Sequence, residues 1–341
     1  MKGVFDVPAE LEPLQAWVFA GLEATAEQIN AALASDVPAV TSLTTQVERF
    51  RGKMLRPTLV MLSGAACGTD VHEPPPEDLV KVAAVVETVH MATLVHDDVL
   101  DDADTRRGGA TINRTRGNET AVILGDYLIA AAFHLCSTLP TQEPSRLIGR
   151  VAMELCAGEL LQLDNRDNLS LDEATYFEIL EGKTASLAGA CCKLGGMLAA
   201  NRPEQTAALD RFGRRIGAAF QVQDDVLDLT GDEAVVGKTL GRDLKKGKLT
   251  LPLIKHLSSL PADERGDALA SLEAVSESGG DDDAVSASVA AALHKTGSVE
   301  ASQRVARDLI DDAQAALSAL PDSPARTTLG MIADAVLTRD K

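Results

Sequence analysis

Apolar positions recur along most of the chain three and four residues apart, and no long stretch alternates apolar with polar residues. The pattern predicts helices over 9–34, 37–48, 55–66, 77–103, 118–138, 144–164, 171–198, 203–229, 249–258, 262–276, 282–295, 298–318 and 323–338. Breakers separate them: EPPPED at 73–78, LPTQEPS at 139–145, a 230–248 loop with four glycines, and SESGGDDDA at 276–284, an acidic, Gly-rich surface loop. No repeat at a solenoid period and no dividing linker is visible. The expectation is one all-α domain over 1–341, with 1–40 as an N-terminal helical extension.

Composition narrows this. Apolar residues make up 45% of the 341, enough for a sizeable core, but aromatics only 3%, so the core must be built from Ala, Leu, Val and Ile. The formal charge of −19 argues against nucleic acid as a partner, because phosphate contacts need clustered Lys and Arg, and it suits a soluble protein. The cysteines, Cys67, Cys136, Cys156, Cys191 and Cys192, are odd in number, fit no disulfide or metal spacing and lie in apolar surroundings. They read as buried free thiols in a reducing compartment. The opening MKGVFDVPAE has no apolar signal region, and no uncharged apolar run reaches the roughly 18 residues of a membrane span. A cytoplasmic location is expected.

Residues 90–109 read HMATLVHDDVLDDADTRRGG, an apolar run that meets Asp97, Asp98, Asp101, Asp102 and Asp104 and then two arginines. On a helix, residues i and i+4 share a face and i+1 flanks it, so Asp97, Asp98 and Asp101 converge at one helix end. Carboxylates this close repel unless a cation neutralises them. Hard oxygen ligands suit Mg²⁺, which commonly binds through a few carboxylates and substrate phosphates. A lone DDxxD is weak evidence, because acidic helix ends are common. However, residues 220–228 read FQVQDDVLD, and Asp224, Asp225 and Asp228 repeat the spacing 127 residues later (224 − 97), again closing an apolar helix. Two such clusters suggest carboxylates facing each other across one cavity mouth.

Basic residues accompany them. GKMLRP at 52–57 sets Lys53 and Arg56 beside Gly52; Arg106 and Arg107 follow the first cluster; Lys183 lies in EGKTASL; Lys238 and Lys248 lie in GKTLGRDLKKGK, where Gly237, Gly241 and Gly247 let backbone approach a ligand. Arg forks and Lys point charges are the usual phosphate grips. Singly each reads as a surface charge. Together, in a net-acidic chain, they suggest two diphosphate groups, one bridged by metal and one held by basic residues alone.

HMATLVHDDVLDDADTRRG, QVQDDVLDLTGD, GKTLGRDLKKGKLTLP, GKMLRP and EGKTASL resemble, in order over roughly 40–341, the signature regions of the trans-isoprenyl diphosphate synthases (the polyprenyl synthetase family). The resemblance implies an all-α bundle around a deep central cavity, a homodimer, and about three Mg²⁺ ions per active site neutralising a leaving diphosphate. It implies that Asp97, Asp98 and Asp101 bind Mg²⁺ and the allylic diphosphate, and that Asp224, Asp225 and Asp228 bind further Mg²⁺ on the same group. Arg106 would contact the allylic diphosphate. Lys53, Arg56, His90 and Arg107 would hold isopentenyl diphosphate. Lys183, Thr184, Gln221 and Lys238 would line the allylic site, with Lys248 more peripheral. Met54 departs from an Arg often found there, but Lys53 and Arg56 are intact. The terminal TRDK resembles the family's basic tail, with Arg339 a late contact.

The implied reaction is ionisation of the allylic C–O bond, attack by the isopentenyl double bond, and proton loss to the departing diphosphate. No side chain need be the base, and the cavity must exclude water. In short-chain members, bulky aromatics four and five residues before the first Asp form a floor. Here those positions are Thr93 and Ala92. A helical turn of about 5.4 Å is comparable with one isoprene unit, so an open floor implies roughly six to ten units and a product beyond twenty carbons. Val89, Val86 and Phe133 are candidate deeper floor residues, although Phe133 reads equally as core. A respiratory-quinone side chain is the natural use. His96 would at most orient Asp97, and His72, His134, His256 and His294 read as non-functional.

A class I terpene cyclase usually replaces the second DDxxD with a mixed Asn/Ser/Glu motif, and a non-catalytic regulatory subunit typically loses an aspartate motif; neither departure is present. A Mg²⁺-dependent diphosphate hydrolase would release diphosphate without isopentenyl diphosphate. The remaining alternatives are a farnesyl or geranylgeranyl synthase and the catalytic subunit of a heteromeric synthase.

Overall fold

In the computed structural model, the all-α expectation holds. The structure describes residues 11–48, 52–199, 202–230, 242–277, 289 and 291–338. The chain divides into two compact units. One comprises Met1–Ala152, Ala190–Asp210 and Ser318–Leu329; the other comprises Met153–Gly189, Arg211–Leu317 and Gly330–Lys341.

The first unit begins with α1 (Glu12–Leu33), α2 (Pro38–Val47), α3 (Leu55–Ala66) and α4 (Glu77–Leu100). Helix α4 starts after Pro76, with Glu77 and Asp78 in its first turn, where acidic groups complement the helix dipole. Its apolar residues ring the whole axis: Val82, Val85, Val86, Val89, Met91 and Ala92 are all buried, as expected of a central helix. It packs against α1, α3 and α6 (Asn118–Ser137). By length and composition α4 and α6 could each span a bilayer, but α4 is a core helix: 72% of its most apolar stretch is buried, against 44% for α6. The expected helix over 77–103 ends earlier. Asp101 caps it, and Asp102 takes a left-handed φ of 47°.

Beyond α4, strands β1 (Thr105–Arg106) and β2 (Gly109–Ala110) form an antiparallel hairpin pairing Thr105 with Ala110 and Arg106 with Gly109. Arg107 and Gly108 make the turn with φ of 50° and 77°, the positive values a two-residue hairpin turn favours. The short α5 (Ile112–Arg116) follows, capped by the Thr111 side chain, which accepts from the Arg114 N–H.

The chain passes along α7 (Glu143–Asp164) into the second unit, which carries α8 (Glu173–Leu180) and a wider π-helical turn, Glu181–Ala185; most of α9 (Ser186–Ala199) belongs to the first unit. The expected single helix over 171–198 is therefore interrupted at EGKTA. α10 (Pro203–Thr230) carries the second aspartate motif, and α11 (Arg242–Lys245), α12 (Leu251–Ser259), α13 (Ala262–Glu277), α14 (Ser298–Leu317) and α15 (Pro324–Leu337) follow. The first residues of α10 and α15 belong to the first unit. The second unit's core gathers Tyr176, Leu180, Val222, Val226, Leu244, Leu251, Leu253 and Leu293.

All five cysteines are free. Cys67, Cys136, Cys191 and Cys192 are buried, and burial pushes the Cys192 thiol up to about 12. Cys156 is a correction: it is exposed, on the outer face of α7.

Candidate active site

The first motif closes α4. Asp97 and Asp101 share a face, and the Asp101 N–H donates to the Asp97 carbonyl at 2.8 Å. Both are half-buried, whereas Asp98 between them is 2% exposed. Its Oδ1 accepts from Arg106 Nε at 2.8 Å and lies 2.7 Å from Arg106 Nη2. The hairpin brings Arg106 back over the helix end. The link between them is pinned by Asn113, whose Nδ2 donates to the carbonyls of Asp98 (3.1 Å) and Ala103 (3.2 Å), and by Thr111, which donates to the Ala103 carbonyl at 2.7 Å.

A cationic cluster lies in the same unit. His90 is half-buried, and desolvation holds its pKa well below the usual imidazole value; the positive charges of Arg56, Arg107 and Arg106 push it the same way. The imidazole is therefore neutral among three guanidinium groups. Arg107 lies against Gly52: a Cβ there would stand 2.1 Å from its Nη1, and Gly52 has a φ of +52°. The positive φ favours glycine, and the missing side chain leaves room for the Arg107 guanidinium. Met54 also takes a left-handed φ of 53°, worth about 1 kcal/mol of strain, and is buried rather than aimed outward. Lys53 between them is exposed. Arg56 Nε is buried with no hydrogen-bond partner among the described residues, a donor that an anion would satisfy. Glu87, 2% exposed, supports the charge of Arg107. It was not singled out in the sequence, although an acid inside the apolar run VVETVH is a usable signal.

The second motif closes α10 in the other unit. Asp224 is exposed, Asp228 half-buried and Asp225 4% exposed, so here too the middle acid is the buried one. Its Oδ2 accepts from the Tyr176 hydroxyl at 2.6 Å and its Oδ1 from Gln221 Nε2 at 2.9 Å. Gln221 Oε1 in turn accepts from Thr184 Oγ1 at 3.2 Å. Burial pushes Asp225 well above the usual carboxylate range, and the nearby Asp243 charge adds to this. Burial and the Asp225 charge push the Tyr176 phenol up, so it remains a donor. Asp228 Oδ2 accepts from the Asp243 N–H at 3.2 Å.

Lys183 and Thr184 sit on the π-helical turn, a distortion frequent at functional positions. The turn crosses α7 at a glycine contact: a Cβ on Gly158 would be 2.7 Å from the Lys183 nitrogen. This close approach brings Lys183 Nζ to 2.5 Å from Glu159 Oε2 and 3.4 Å from Gln162 Oε1. Tyr176, Glu159 and Asp243 were missed in the sequence. Lys248 is half-buried, its N–H donating to the Asp243 carbonyl at 2.9 Å. Lys238 and Arg339 lie outside the described residues.

Among the described residues, no three His, Cys, Asp or Glu side chains gather into a metal site of their own. The donor set still fits Mg²⁺: each motif offers hard carboxylate oxygens at i and i+4, the first with Arg106 against it, and this ion takes much of its shell from phosphate and water. His96 does not orient Asp97. Its ring lies against Gly125, with Nε2 3.2 Å from the Val122 carbonyl and 3.6 Å from Asp126. Of the floor residues, Ala92 and Val89 are buried to within 1% of complete, while Thr93 and Phe133 are half-buried.

The sequence profile of the polyprenyl synthetase family matches residues 38–289. The chain belongs to the polyprenyl synthetase family. It is 34% identical to octaprenyl diphosphate synthase of Escherichia coli K12 over 97% of this chain and 99% of that one. Identity is also 34% to component 2 of heptaprenyl diphosphate synthase of Geobacillus stearothermophilus, over 97% and 99%. It is 38% to a geranylgeranyl diphosphate synthase of Mycobacterium tuberculosis, over 80% of this chain and 75% of that one. The solved decaprenyl diphosphate synthase of Rhodobacter capsulatus superimposes with a TM-score of 0.87 at 33% identity, covering 97% and 99%. A polyprenyl synthase from Caulobacter crescentus, solved with calcium and isoprenyl diphosphate, gives 0.87 at 30%, covering 97% and 98%. This polyprenyl synthetase is thus a prenyltransferase with the all-α isoprenoid synthase fold.

Proposed function

We propose that this polyprenyl synthetase condenses isopentenyl diphosphate head to tail with an allylic diphosphate and releases an all-trans product longer than twenty carbons. The observation that carries the substrate assignment is Arg56 Nε, buried and without a partner among the described residues, in a cluster with Arg106, Arg107 and neutral His90. Such a cluster, with exposed Lys53, suits a diphosphate held without metal. The Caulobacter relative's calcium and isoprenyl diphosphate support a divalent cation and a prenyl diphosphate as ligands.

Mg²⁺ would be held by Asp97 and Asp101 at the first motif and by Asp224 and Asp228 at the second, and would supply the charge that stabilises the departing diphosphate. The outer acids of each motif present their oxygens, and the buried Asp98 and Asp225 hold the motif in place. Arg106, Lys183, Thr184, Gln221, Lys238 and Lys248 bind and orient the allylic substrate. Lys183 leaves Glu159 for the diphosphate. Apolar walls exclude water while the allylic C–O bond breaks, the isopentenyl double bond attacks the cation, and the lost proton goes to the diphosphate. Small, half-buried Thr93 leaves room for a long chain, whereas Ala92 is closed into the core, and the octaprenyl and decaprenyl relatives support that length.

We read the whole chain as one domain acting in the cytoplasm as a homodimer. Val122 and Ile123 on α6 are exposed apolar residues that suit a partner surface. The heptaprenyl relative is one component of its enzyme, which favours a second reading as a catalytic subunit needing a partner. The discriminating experiment is condensation by the purified chain alone, followed as isopentenyl diphosphate-dependent diphosphate release.

A further inference from the structure

Tyr176 stands in the first turn of α8, where Asp172 caps the helix by accepting from the Thr175 N–H at 2.8 Å. Its ring meets Phe177 edge-on at 5.3 Å and is packed in the apolar core of its unit. From there its hydroxyl reaches 49 residues along the chain to Asp225 Oδ2. Gln221 takes the other oxygen and Thr184 braces Gln221. One hydrogen-bond chain thus joins α8, the π-helical turn and the end of α10. Both Asp225 oxygens are engaged from two sides, which fixes the rotation of the C-terminal part of α10. Asp224 and Asp228 ride on that part of the helix, one residue before and three after.

We propose that Tyr176 is a positioning residue for the second aspartate motif, holding Asp225 so that Asp224 and Asp228 are aimed for metal and diphosphate. It touches no substrate; it acts through Asp225. Because Thr184 neighbours Lys183, the same chain registers the basic residue against the acids. The inference rests on the synthase reading for its metal and diphosphate. Its consequence is selective: the allylic side depends on Tyr176, and the isopentenyl side, held by Lys53, Arg56 and Arg107, does not.

The test uses the full chain, as wild type, Tyr176→Phe, Asp225→Asn and the double variant. Two quantities are read: the Mg²⁺-dependent part of inorganic diphosphate binding by calorimetry, and the separate KM values for allylic and isopentenyl diphosphate. Losing one of the two hydrogen bonds that hold Asp225 should weaken Mg²⁺-dependent diphosphate binding several-fold, up to roughly ten-fold, and raise the allylic KM similarly. The isopentenyl KM should stay within about two-fold, and the double variant should bind no more weakly than Asp225→Asn, since coupled residues are not additive. Unchanged diphosphate binding in Tyr176→Phe, full additivity, or a parallel rise of both KM values would overturn the proposal. If Tyr176→Phe does not fold, Phe177→Leu removes the ring that seats Tyr176 edge-on and reads the same binding. A wild type that makes no prenyl product, yet loses diphosphate binding on Tyr176→Phe, would defeat the synthase reading and leave the positioning role standing. An active wild type indifferent to Tyr176→Phe would defeat the positioning role alone.

Discussion

Arg106 places its Nε and Nη2 2.8 and 2.7 Å from a single oxygen of Asp98, a carboxylate that is only 2% exposed. Removing one partner of a buried pair leaves an uncompensated charge. Arg106 is itself a quarter exposed, so solvent screens part of the loss, and Arg106→Ala should cost about 1–3 kcal/mol. Melting without ligand should show a lowered Tm, partly restored by Mg²⁺ with inorganic diphosphate. An unchanged Tm would mean that the pair does not hold the end of α4.

The outer aspartates should behave differently. Asp97→Ala or Asp224→Ala should keep the fold but lower turnover roughly 10²–10³-fold, as for loss of a main electrostatic stabiliser. EDTA should abolish activity, and added Mg²⁺ should restore it. Near-normal rates in either variant, or turnover in EDTA, would remove the basis for the metal assignment.

Chain length should respond to Thr93 more cleanly than to Ala92. Ala92 has no exposed surface, so Ala92→Phe overpacks the core at a cost of about 1–3 kcal/mol. Thr93 is half-buried, and Thr93→Phe should shorten the product with a smaller change in Tm. Chromatography of dephosphorylated products checks this. An unchanged length would place the floor elsewhere, with Phe133 the next residue to vary.

Stability should fall on the acid side because of His90. Its pKa in the fold lies well below the ordinary imidazole value, first through burial and then through Arg56, Arg107 and Arg106. Below about pH 6.5 the unfolded chain takes up a proton that the folded protein refuses, so this stability is complete above that pH and is lost as pH falls toward the folded value. The Tm should therefore drop between pH 7.5 and 5.5, and drop less in His90→Gln. Equal losses in both proteins would show that other groups carry the effect. His256, also lowered by burial, is one such group.

Much of the fold was legible in the sequence. The helices of the first unit follow apolar spacing, and the end of α4 was misjudged by three residues because Asp101 and Asp102 are compatible with helix until the left-handed φ appears. The 105–110 hairpin was not legible, since two residues per strand are too few to alternate. The π-helical turn at 181–185 keeps helical periodicity on both sides and so passed as one helix. Both aspartate motifs were legible from spacing, but the burial of the middle acid was not. It depends on partners brought in by other elements: Tyr176 for Asp225, and for Asp98 an arginine carried back by a hairpin.

The central claim is most directly tested by product length. Purified protein would be incubated with Mg²⁺, radiolabelled isopentenyl diphosphate and farnesyl diphosphate, and the dephosphorylated products resolved. A ladder that grows with isopentenyl diphosphate and ends beyond twenty carbons is the expected result. A ladder that stops at fifteen or twenty carbons would contradict the long-chain assignment, and no isopentenyl-dependent product from the chain alone would contradict the claim that it is a self-sufficient synthase.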